Sequence, residues 1–549
     1  MRSAVALYRL LDVLPVFAGD DRISTSFTLV PGSEFSADAL AAVDGSGARI
    51  VPWEQALSTA YDLVLVASPK GDLRLLHGHR VLLPHGAGFS KTIRGEGSPG
   101  SASGLDPKFL LPGEDTGEDT GKATAEGRWA TVHALAHPHQ VDRLRAASPR
   151  DGERARVVGD PTLERLLVSR SLRDRYRAAL GTGARQLVAI TSTWGPRSLL
   201  RQRPGLPAEL AAVLPHDTHQ LALVVHPNER ARAGDFELRE HLAPALDAGM
   251  VFVGAHEQWA TTLIAADALI TDHGSAALYY AAVADRPVLG ACDGGDELIA
   301  GSPMARLLGA VPRLGPAGEI RRRLRAYRPG AGQDAARAAF AEQGRALDRM
   351  KELLYPLIGL PAPPAPVEPR TLPTASPTTR TPTAFDVFVD RDGDRVRVDR
   401  LPAHVGPPGH HLAVEEGAAG ERSVRSAGLL YRRPLATGPG PLDTAWTAGG
   451  WSAHVLGQYP GCRAAAAVLS CGTSVLRVRG GDRLFAVRIE PLAEGGRVVR
   501  ADPAAALSAV HSWVAKREDP PASFLCLLGD RAFRVLVSPA TAAEQDRTF

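Results

Sequence analysis

Short apolar runs alternate with helical patterns from residue 186 to residue 291, and few folds accommodate that alternation. Each apolar run is four or five residues long and apolar at nearly every position, which is typical of a strand that is covered on both faces. Helical patterns at 256 to 265 and 275 to 284 separate several of the runs. The pattern predicts a parallel sheet between two layers of helices, with strands at QLVAI (186 to 190), LALVV (221 to 225), MVFV (250 to 253), DALIT (267 to 271) and PVLGA (287 to 291).

A similar but less regular block precedes it. Helical stretches again fall between several apolar runs, so we predict a second α/β unit, followed by one long helix from about 333 to 354. Residues 95 to 127 form a polar, Gly-rich loop, long enough to be either mobile or functional. The predicted strands of this block are SFTLV (26 to 30), ARIV (48 to 51), DLVLV (62 to 66), RVLLP (80 to 84), ATVHAL (130 to 135) and ARVVG (155 to 159).

A stretch with eight prolines, residues 361 to 384, marks the clearest boundary. Its composition predicts a semi-extended linker. The strand-like runs beyond it, with one helical pattern at 503 to 519, predict a mixed α+β domain, and DRDGDR at 390 to 395 predicts a hairpin turn. The predicted fold class is thus α/β, with two Rossmann-like domains (1 to 180 and 181 to 360), the linker (361 to 384) and a strand-rich accessory domain (385 to 549).

Composition excludes some functions. The 549 residues exceed the size of a single core, and 63 Lys plus Arg against 60 Asp plus Glu lack the basic excess of a nucleic-acid binder. Four cysteines without C-x-x-C spacing favour neither a disulfide framework nor a zinc site. With no apolar run of about 18 residues, we expect no transmembrane segment and a cytoplasmic location. The Ala, Arg, Gly and Pro usage is associated with GC-rich bacterial genomes.

Polar clusters follow four of the predicted strands. They lie at residues 85 to 88, with Lys91 just beyond, and at 191 to 197, 226 to 228 and 272 to 275. Because ligands of open α/β sheets bind outside the carboxyl ends of the strands, we expect these clusters to surround one ligand. The sequence therefore predicts a binding site built from four loops.

The turn TDHGSAA, residues 271 to 277, runs from a strand into a helix. A helix that begins near Ser275 presents unpaired N–H groups and a positive dipole end, and its small residues let an anion approach. Ser275 and His273 can add donors for a phosphate. The alternative is that Asp272 or Ser275 only caps the helix. Alignment with the other three clusters favours the phosphate site.

His85 is the candidate base, because an imidazole accepts a proton near neutral pH and two nearby glycines admit a substrate. The alternative is a histidine bonded within its turn. His226 in HPN is either a ligand or part of a strand exit, Trp194 either stacks on a base or packs between domains, and Lys91 either binds phosphate or is solvated. The predicted substrate-binding residues are Gly86, Gly88, Lys91, Thr193, Trp194, Arg197, His226, Thr271, Asp272, His273, Gly274 and Ser275.

These motifs resemble a known family. LLPHGAGFSKT, TSTWGPR, LVVHPN and ADALITDHGSAALYYAAVADRPVL, in this order over residues 60 to 300, look like the CDP-glycerol glycerophosphotransferases of teichoic-acid synthesis. The resemblance implies the GT-B architecture of two Rossmann-like domains. It also implies that His85 is the base, and that His226, Thr271, Asp272 and Ser275 contact the donor pyrophosphate.

The resemblance implies a transferase that moves glycerophosphate from CDP-glycerol to an acceptor hydroxyl. No Asp-x-Asp pair follows a predicted strand in the first two domains, so we expect no metal or other cofactor. Where the family has a tyrosine and two serines after the aspartate, this chain has His273, Gly274 and Ser275. That difference leaves three alternatives open: a UDP-sugar glycosyltransferase, an epimerase using carboxylates such as Asp62 and Glu257, and an inactive nucleotide-binding scaffold. The expected partners are the donor and acceptor, with peripheral membrane contact or a protein bound by the C-terminal domain as further options, and no nucleic acid.

Overall fold

A computed structural model describes residues 1–33, 35–83, 86–92, 102–103, 131–254, 256–434, 444–470, 472–481 and 483–549. Two of the sequence predictions lie outside these residues. They are the base His85 and nearly all of the loop predicted at 95 to 127. In the described part, no helix is long and apolar enough to cross a membrane. The cytoplasmic location stays a prediction from the sequence.

The first α/β unit contains a four-stranded parallel sheet in the order β1-β2-β3-β4. Helix α1 packs on this sheet through Leu7 and Leu10, which are buried in the same core as Val81 and Ala134. Strands β1 to β4 match four of the six predicted runs. The elements are α1 Ala4–Val13, α2 Ser36–Ser46, α3 Trp53–Leu57, β1 Ala60–Val66, β2 His77–Leu82, β3 Thr131–Leu135, α4 Pro138–Ala147, α5 Pro149–Glu153, β4 Ala155–Val157 and α6 Pro161–Ser169.

The strands predicted at 26 to 30 and 48 to 51 are wrong. These segments meet only at one parallel bridge between Phe27 and Ile50. Each segment is followed directly by a proline, Pro31 or Pro52, which has no N–H to continue a ladder. The apolar side chains are still buried, as Val30 and Val51 show, which is why the pattern resembled strands.

The second unit contains a five-stranded parallel sheet in the order β7-β6-β5-β8-β9. All five predicted strands are present, although β7 is short. The strand order reverses at β5, whose neighbours β6 and β8 lead away in opposite directions, so a ligand crevice is expected beyond their carboxyl ends. The elements are α7 Arg173–Ala179, β5 Gln186–Ser192, α8 Leu199–Gln202, α9 Leu206–Ala211, β6 His219–Val225, α10 Pro227–His241, α11 Ala243–Asp247, β7 Val251–Phe252, α12 Gln258–Ala265, β8 Ala268–Thr271, α13 Ala276–Val283, β9 Val288–Gly290, α14 Pro303–Ala310, α15 Ile320–Arg325 and α16 Ala331–Arg337.

The single helix predicted from 333 to 354 is wrong, because the structure has α16 and then a separate helix α17, Ala346–Leu357. Glu342 and Gly344 between them have φ of 52° and 82°, which no right-handed helix contains. The carboxylate of Glu164 then accepts hydrogen bonds from the first N–H groups of α17. Helix α17 packs into the core of the first unit, so the chain crosses back to that unit.

The Pro-rich segment at 361 to 384 is extended, as predicted, but it is packed against the second unit. Leu372 and Ala375 are buried in the core of that unit. The Leu372 carbonyl accepts a 2.9 Å hydrogen bond from the Tyr176 hydroxyl, and Thr378 bridges to Phe252. The segment therefore fixes where the next domain begins. The domain limits at 180, 360 and 384 stay predictions.

The C-terminal domain is a closed nine-stranded barrel. Its central helix α20 is buried along its length, and it packs against seven of the nine strands. The predicted hairpin at 390 to 395 joins the first two strands. The elements are β10 Ala384–Asp392, β11 Arg395–Pro402, β12 His411–Glu415, α18 Glu421–Ser426, β13 Leu429–Arg432, α19 Ala448–Gln458, β14 Ala464–Ser470, β15 Thr473–Val478, β16 Leu484–Ile489, β17 Leu492–Glu494, β18 Arg497–Val499, α20 Pro503–Val514, β19 Ser523–Leu528, β20 Arg531–Pro539 and α21 Ala542–Gln545.

Candidate functional site

A cavity of about 550 Å³ lies between the two α/β units, beyond the carboxyl ends of β5, β6 and β8. The parallel registers pair Thr191 with Thr271 and Ser192 with Val225, so the residues that follow these strands emerge side by side. The first unit closes the other side of the cavity. The predicted site residues in its wall are Gly86, Lys91, Thr193, Trp194, His226, Asp272, His273, Gly274 and Ser275.

Asp272 joins two of these loops. Its carboxylate is fully buried and accepts three backbone hydrogen bonds, from Thr193 N and Leu199 N at 2.8 Å and from Gly274 N at 2.9 Å. Burial raises the pKa of the carboxyl even though all three donors favour its charged form. Because the carboxylate is already bound by the protein backbone, its function here is to hold the turn.

The start of α13 is open to the cavity. Ser275 is the N-cap residue, yet no side chain among the described residues caps the helix. A Cβ atom added to Gly86 would lie 3.3 Å from the Ser275 hydroxyl, and the positive φ of residue 86 suits glycine, so the two loops approach closely here. The capping alternative therefore does not account for Ser275, and its hydroxyl and the helix N-terminus remain available to an anion.

His273, Glu297 and Lys91 form a chain of contacts across the two units. The Nε2 atom of His273 and the Lys91 ammonium each lie 3.0 Å from Oε2 of Glu297. Burial raises the pKa of the Glu297 carboxyl, but hydrogen bonds from His273 and the charge of Lys91 outweigh that effect and hold its pKa below the ordinary value. His273 is almost fully buried, and its Nδ1 atom has no partner among the described residues.

Glu297 was not predicted from the sequence. It lies in the short stretch GGDELI after β9, where an acidic residue resembles any solvated loop position. It comes to the site because residues 90 to 92 pair with 297 to 299 in a strand-like contact, including a 2.8 Å bond from Thr92 N to the Glu297 carbonyl. Thr92 and Glu297 are 205 positions apart, and a pairing over that separation leaves no local sequence pattern from which it could be predicted.

We expect Glu297→Gln to lower the free energy of unfolding by about 1–3 kcal/mol at neutral pH, because it weakens two charge-assisted contacts. The folded-state pKa lies below the ordinary value of 4.5. The carboxylate therefore stabilises the fold above about pH 4.5, and that contribution is lost as the pH falls through the folded-state pKa. Urea unfolding of both proteins at neutral pH and at a series of pH values below 4.5 tests this, and a difference that does not shrink as the pH falls along that series would contradict it.

An aromatic and histidine wall faces the cavity from β5 and β6. His226 is the N-cap of α10, and its Nδ1 atom accepts a 3.1 Å hydrogen bond from Asn228 N. A neutral imidazole that accepts at Nδ1 carries its proton at Nε2 and is a donor there. The Trp194 ring lies 6.3 Å from that imidazole and 4.9 Å from the Lys91 ammonium. Trp194 thus lines the cavity and contacts both units, whereas its stacking on a base stays a prediction.

Three predicted residues are not in the cavity wall. Arg197 is about half exposed and forms an ion pair with Asp296, at 2.8 Å. Thr271 is fully buried, with its hydroxyl 2.8 Å from that of Thr191. Gly88 packs against Pro303, where its positive φ suits glycine. These residues support the loops in the structure, and their contact with substrate stays a prediction.

The cavity wall also contains an ionic network that sequence reasoning missed. Arg9 of α1 binds Asp160 at 2.9 Å, Thr162 at 2.7 Å and the hydroxyl of Tyr279, which itself donates to Asp160 at 2.8 Å. The segment around Arg9 reads only as an amphipathic helix. The cavity is also lined by Asp12, Arg165, His256 and Glu257, with Arg165 bound to both carboxylates.

The cavity wall contains several ion pairs. Five Lys and Arg line the cavity against three Asp and Glu, and all three carboxylates are bound by Arg165 or by backbone N–H groups. Two of the five cations are also paired, Lys91 with Glu297 and Arg9 with Asp160, and these two acids lie outside the lining. Within the described ranges, no group of three or more His, Cys, Asp or Glu side chains is placed to hold a metal.

The chain matches no protein-family model and no curated protein sequence. Among solved structures it is similar to the wall teichoic acid polymerase TagF, at 14% identity and a TM-score of 0.43 over 64% of this chain and 85% of that one. A TagF variant soaked with CDPG gives 17% identity and 0.39, over 57% and 76%. HepE of Anabaena in complex with UDP and glucose gives 14% and 0.38, over 65% and 96%.

At these identities and TM-scores, what the chain does has to be inferred from its own residues. The motifs of residues 60 to 300 resemble the CDP-glycerol glycerophosphotransferases of teichoic-acid synthesis, and the solved structures to which the chain is similar include the wall teichoic acid polymerase TagF.

Proposed function

We propose that the protein is a GT-B transferase of two Rossmann-like domains that uses a nucleotide-diphosphate donor, with CDP-glycerol favoured, and an acceptor hydroxyl. The observation that carries the proposal is the convergence of the α13 N-terminus, Ser275 and His226 on one cavity at the switch point of the second sheet. Such a point is where phosphates bind in open α/β sheets. Gly86 and Lys91 face it from the first unit.

The proposed reaction needs a residue that accepts the acceptor's proton and a set of donors that stabilise the leaving phosphate. The acceptor oxygen bonds to the donor phosphorus as the bond to the leaving nucleotide breaks, and His85 takes the hydroxyl proton. Negative charge then grows on the leaving phosphate. The α13 N–H groups, the Ser275 hydroxyl and Nε2–H of His226 are the donors that stabilise it, and they are already in position before the reaction. Trp194 supplies a surface on which the nucleobase stacks.

A second candidate is a nucleotide-binding scaffold that no longer catalyses transfer. The specific observation in its favour is that His273 and Lys91 are both bound by the buried Glu297. Two cationic or donor groups of the predicted site are therefore already bound by a carboxylate of the protein. The UDP-sugar transferase remains an alternative for the donor. For an epimerase, Glu257 lies in the cavity wall but is paired with Arg165, and Asp62 is not in that wall.

Donor binding is tested by calorimetry with CDP-glycerol, UDP-glucose and CMP. We expect His226→Ala and Ser275→Ala to bind the preferred donor about 10- to 100-fold more weakly, the loss that follows from a charge-assisted hydrogen bond. The exposed residues His241 and Ser171 provide matched controls, His241→Ala and Ser171→Ala. Unchanged affinity in both cavity variants would contradict the proposed phosphate site.

Turnover separates the two candidates. For the transferase, His85→Ala should retain donor binding and lose about 10²- to 10⁴-fold of the rate of nucleotide release, as expected for a missing general base. The scaffold predicts binding without release in the parent protein, and no effect of the substitution. Nucleotide release measured by chromatography, with and without a hydroxyl acceptor, distinguishes these outcomes.

A further inference from the structure

A second cavity, of about 390 Å³, lies where the second unit meets the barrel. We call it the junction cavity. It is formed by the loop before β5, the loop before β6, the end of the Pro-rich segment and the residues around the start of α20. It thus lies at the amino ends of β5 and β6, the opposite edge of the sheet from the proposed donor site.

Two buried polar atoms in its wall have no hydrogen-bond partner among the described residues. One is the hydroxyl of Thr182, a residue with no exposed surface, and the other is Oε1 of Gln220, which is 6% exposed. The amide nitrogen of Gln220 is in use, since it donates to the Leu180 carbonyl at 2.8 Å. Because an unsatisfied buried polar atom costs about 1–3 kcal/mol, we expect such atoms in a cavity wall to be bound by water or by a ligand that enters the cavity.

Arg185 adds a positive charge. Its guanidinium donates to the carbonyls of Thr182 and Gly181, at 3.1 and 2.6 Å, but forms no ion pair with the residues that the structure describes. Burial lowers its pKa, although the charge of Asp217 acts in the other direction. Both carboxylate oxygens of Asp217 are bound by Arg400, at 2.8 and 2.5 Å. Asp217, the acid that acts on Arg185, is therefore bound by a different guanidinium, that of Arg400.

The other acid in the wall, Asp502, is also ion-paired. It binds Arg400 at 2.7 Å and Arg433 at 2.9 Å. Arg531, a further cation of the wall, is paired with Glu494 at 2.8 Å. The junction cavity thus combines the guanidinium of Arg185, which forms no ion pair with the described residues, with one unused hydroxyl and one unused acceptor.

We propose that the junction cavity binds a small phosphate monoester that carries hydroxyl groups. Arg185 and Thr182 would donate to the phosphate oxygens, and Gln220 Oε1 would accept from a ligand hydroxyl. The volume suits a molecule of this size and falls within the usual range of small-molecule sites. The site is distinct from the proposed donor site and does not depend on the transferase proposal.

Hydrogen–deuterium exchange of the full chain tests the site, with inorganic phosphate and glycerol 2-phosphate as probes and glycerol as the uncharged control. We expect both phosphates to slow exchange in peptides covering 180 to 186 and 499 to 503, and glycerol to leave them unchanged. Peptides covering 271 to 278 report separately on the donor site. Protection there, present or absent, leaves the result at the junction unaffected.

Variants make the assignment specific. Arg185→Gln should weaken phosphate binding at the junction by about 10- to 100-fold and Thr182→Val by several-fold. Arg497→Gln removes the same charge from an exposed surface pair with Asp174 and should bind as the parent does. Thr182→Val keeps the side-chain shape, so it remains informative if the Arg185 variant unfolds. Absence of protection in the parent, or protection that persists in both cavity variants, would overturn the proposal.

Discussion

Replacing Arg400 by methionine is expected to lower the free energy of unfolding of the barrel by about 3–5 kcal/mol, the cost of removing one partner of a buried ion pair. Arg400 on β11 is fully buried between Asp217 of the second unit and Asp502 at the start of α20. The two carboxylates raise the pKa of the guanidinium well above its ordinary value. Without it, Asp217 stays buried with no cation in contact.

Urea unfolding followed by tryptophan fluorescence measures this change, because Trp513 of α20 packs in the barrel core. Arg397 lies on the same strand but is exposed, so Arg397→Met is the matched control, expected within about 0.5 kcal/mol of the parent. The double variant Arg400→Met with Asp217→Asn should recover part of the loss, since it removes the stranded charge. If Arg400→Met and Arg397→Met had the same free energy of unfolding, the buried ion pairs of Arg400 would not stabilise the protein and the prediction would be wrong.

Asp272→Ala is expected to cost at least about 3 kcal/mol of unfolding free energy in the second unit. The substitution leaves three backbone N–H groups, those of Thr193, Leu199 and Gly274, buried without an acceptor, at about 1–3 kcal/mol each. Asp272→Asn keeps one carbonyl oxygen and should lose less. Because the same bonds fix the turn before α13, we also expect donor binding to weaken in both variants.

Asp296→Ala is the control for this experiment, since Asp296 is an exposed acid outside the cavity wall whose pair with Arg197 is at the surface. It should change stability by no more than about 0.5 kcal/mol. Chemical unfolding gives the stability, and calorimetry with the preferred nucleotide gives the affinity. A stable Asp272→Ala protein with unchanged nucleotide affinity would contradict the positioning function assigned to this carboxylate.

The second sheet was predictable because its signal is local. Each of its strands is a short apolar run, and the rule for open α/β sheets then puts the loops after β5, β6 and β8 on one edge. Nine of the predicted site residues accordingly line one cavity. Strand prediction was wrong at 26 to 30 and 48 to 51. There the apolar side chains are buried, but the backbones do not form the hydrogen-bonded ladder of a sheet.

Contacts between distant segments had no such signal. Glu297 meets His273 and Lys91 only because two loops pair across the units, and the Arg9 network forms only because α1 and α13 both pack against α6. The split between α16 and α17 also depends on a distant group, the Glu164 carboxylate. Hydrogen bonds and ion pairs of this kind depend on where the backbone ends up.

Hydrophobic periodicity along the chain was therefore enough to predict the parallel sheets, the edge where the polar loops gather and the strand-rich character of residues 385 to 549, because each reflects burial of neighbouring residues. The closure of the barrel around α20, the partners of each charged side chain and the junction cavity followed only from packing. They depend on the free energies of contacts between residues that are far apart in the sequence, and no local sequence pattern predicts which of these contacts form.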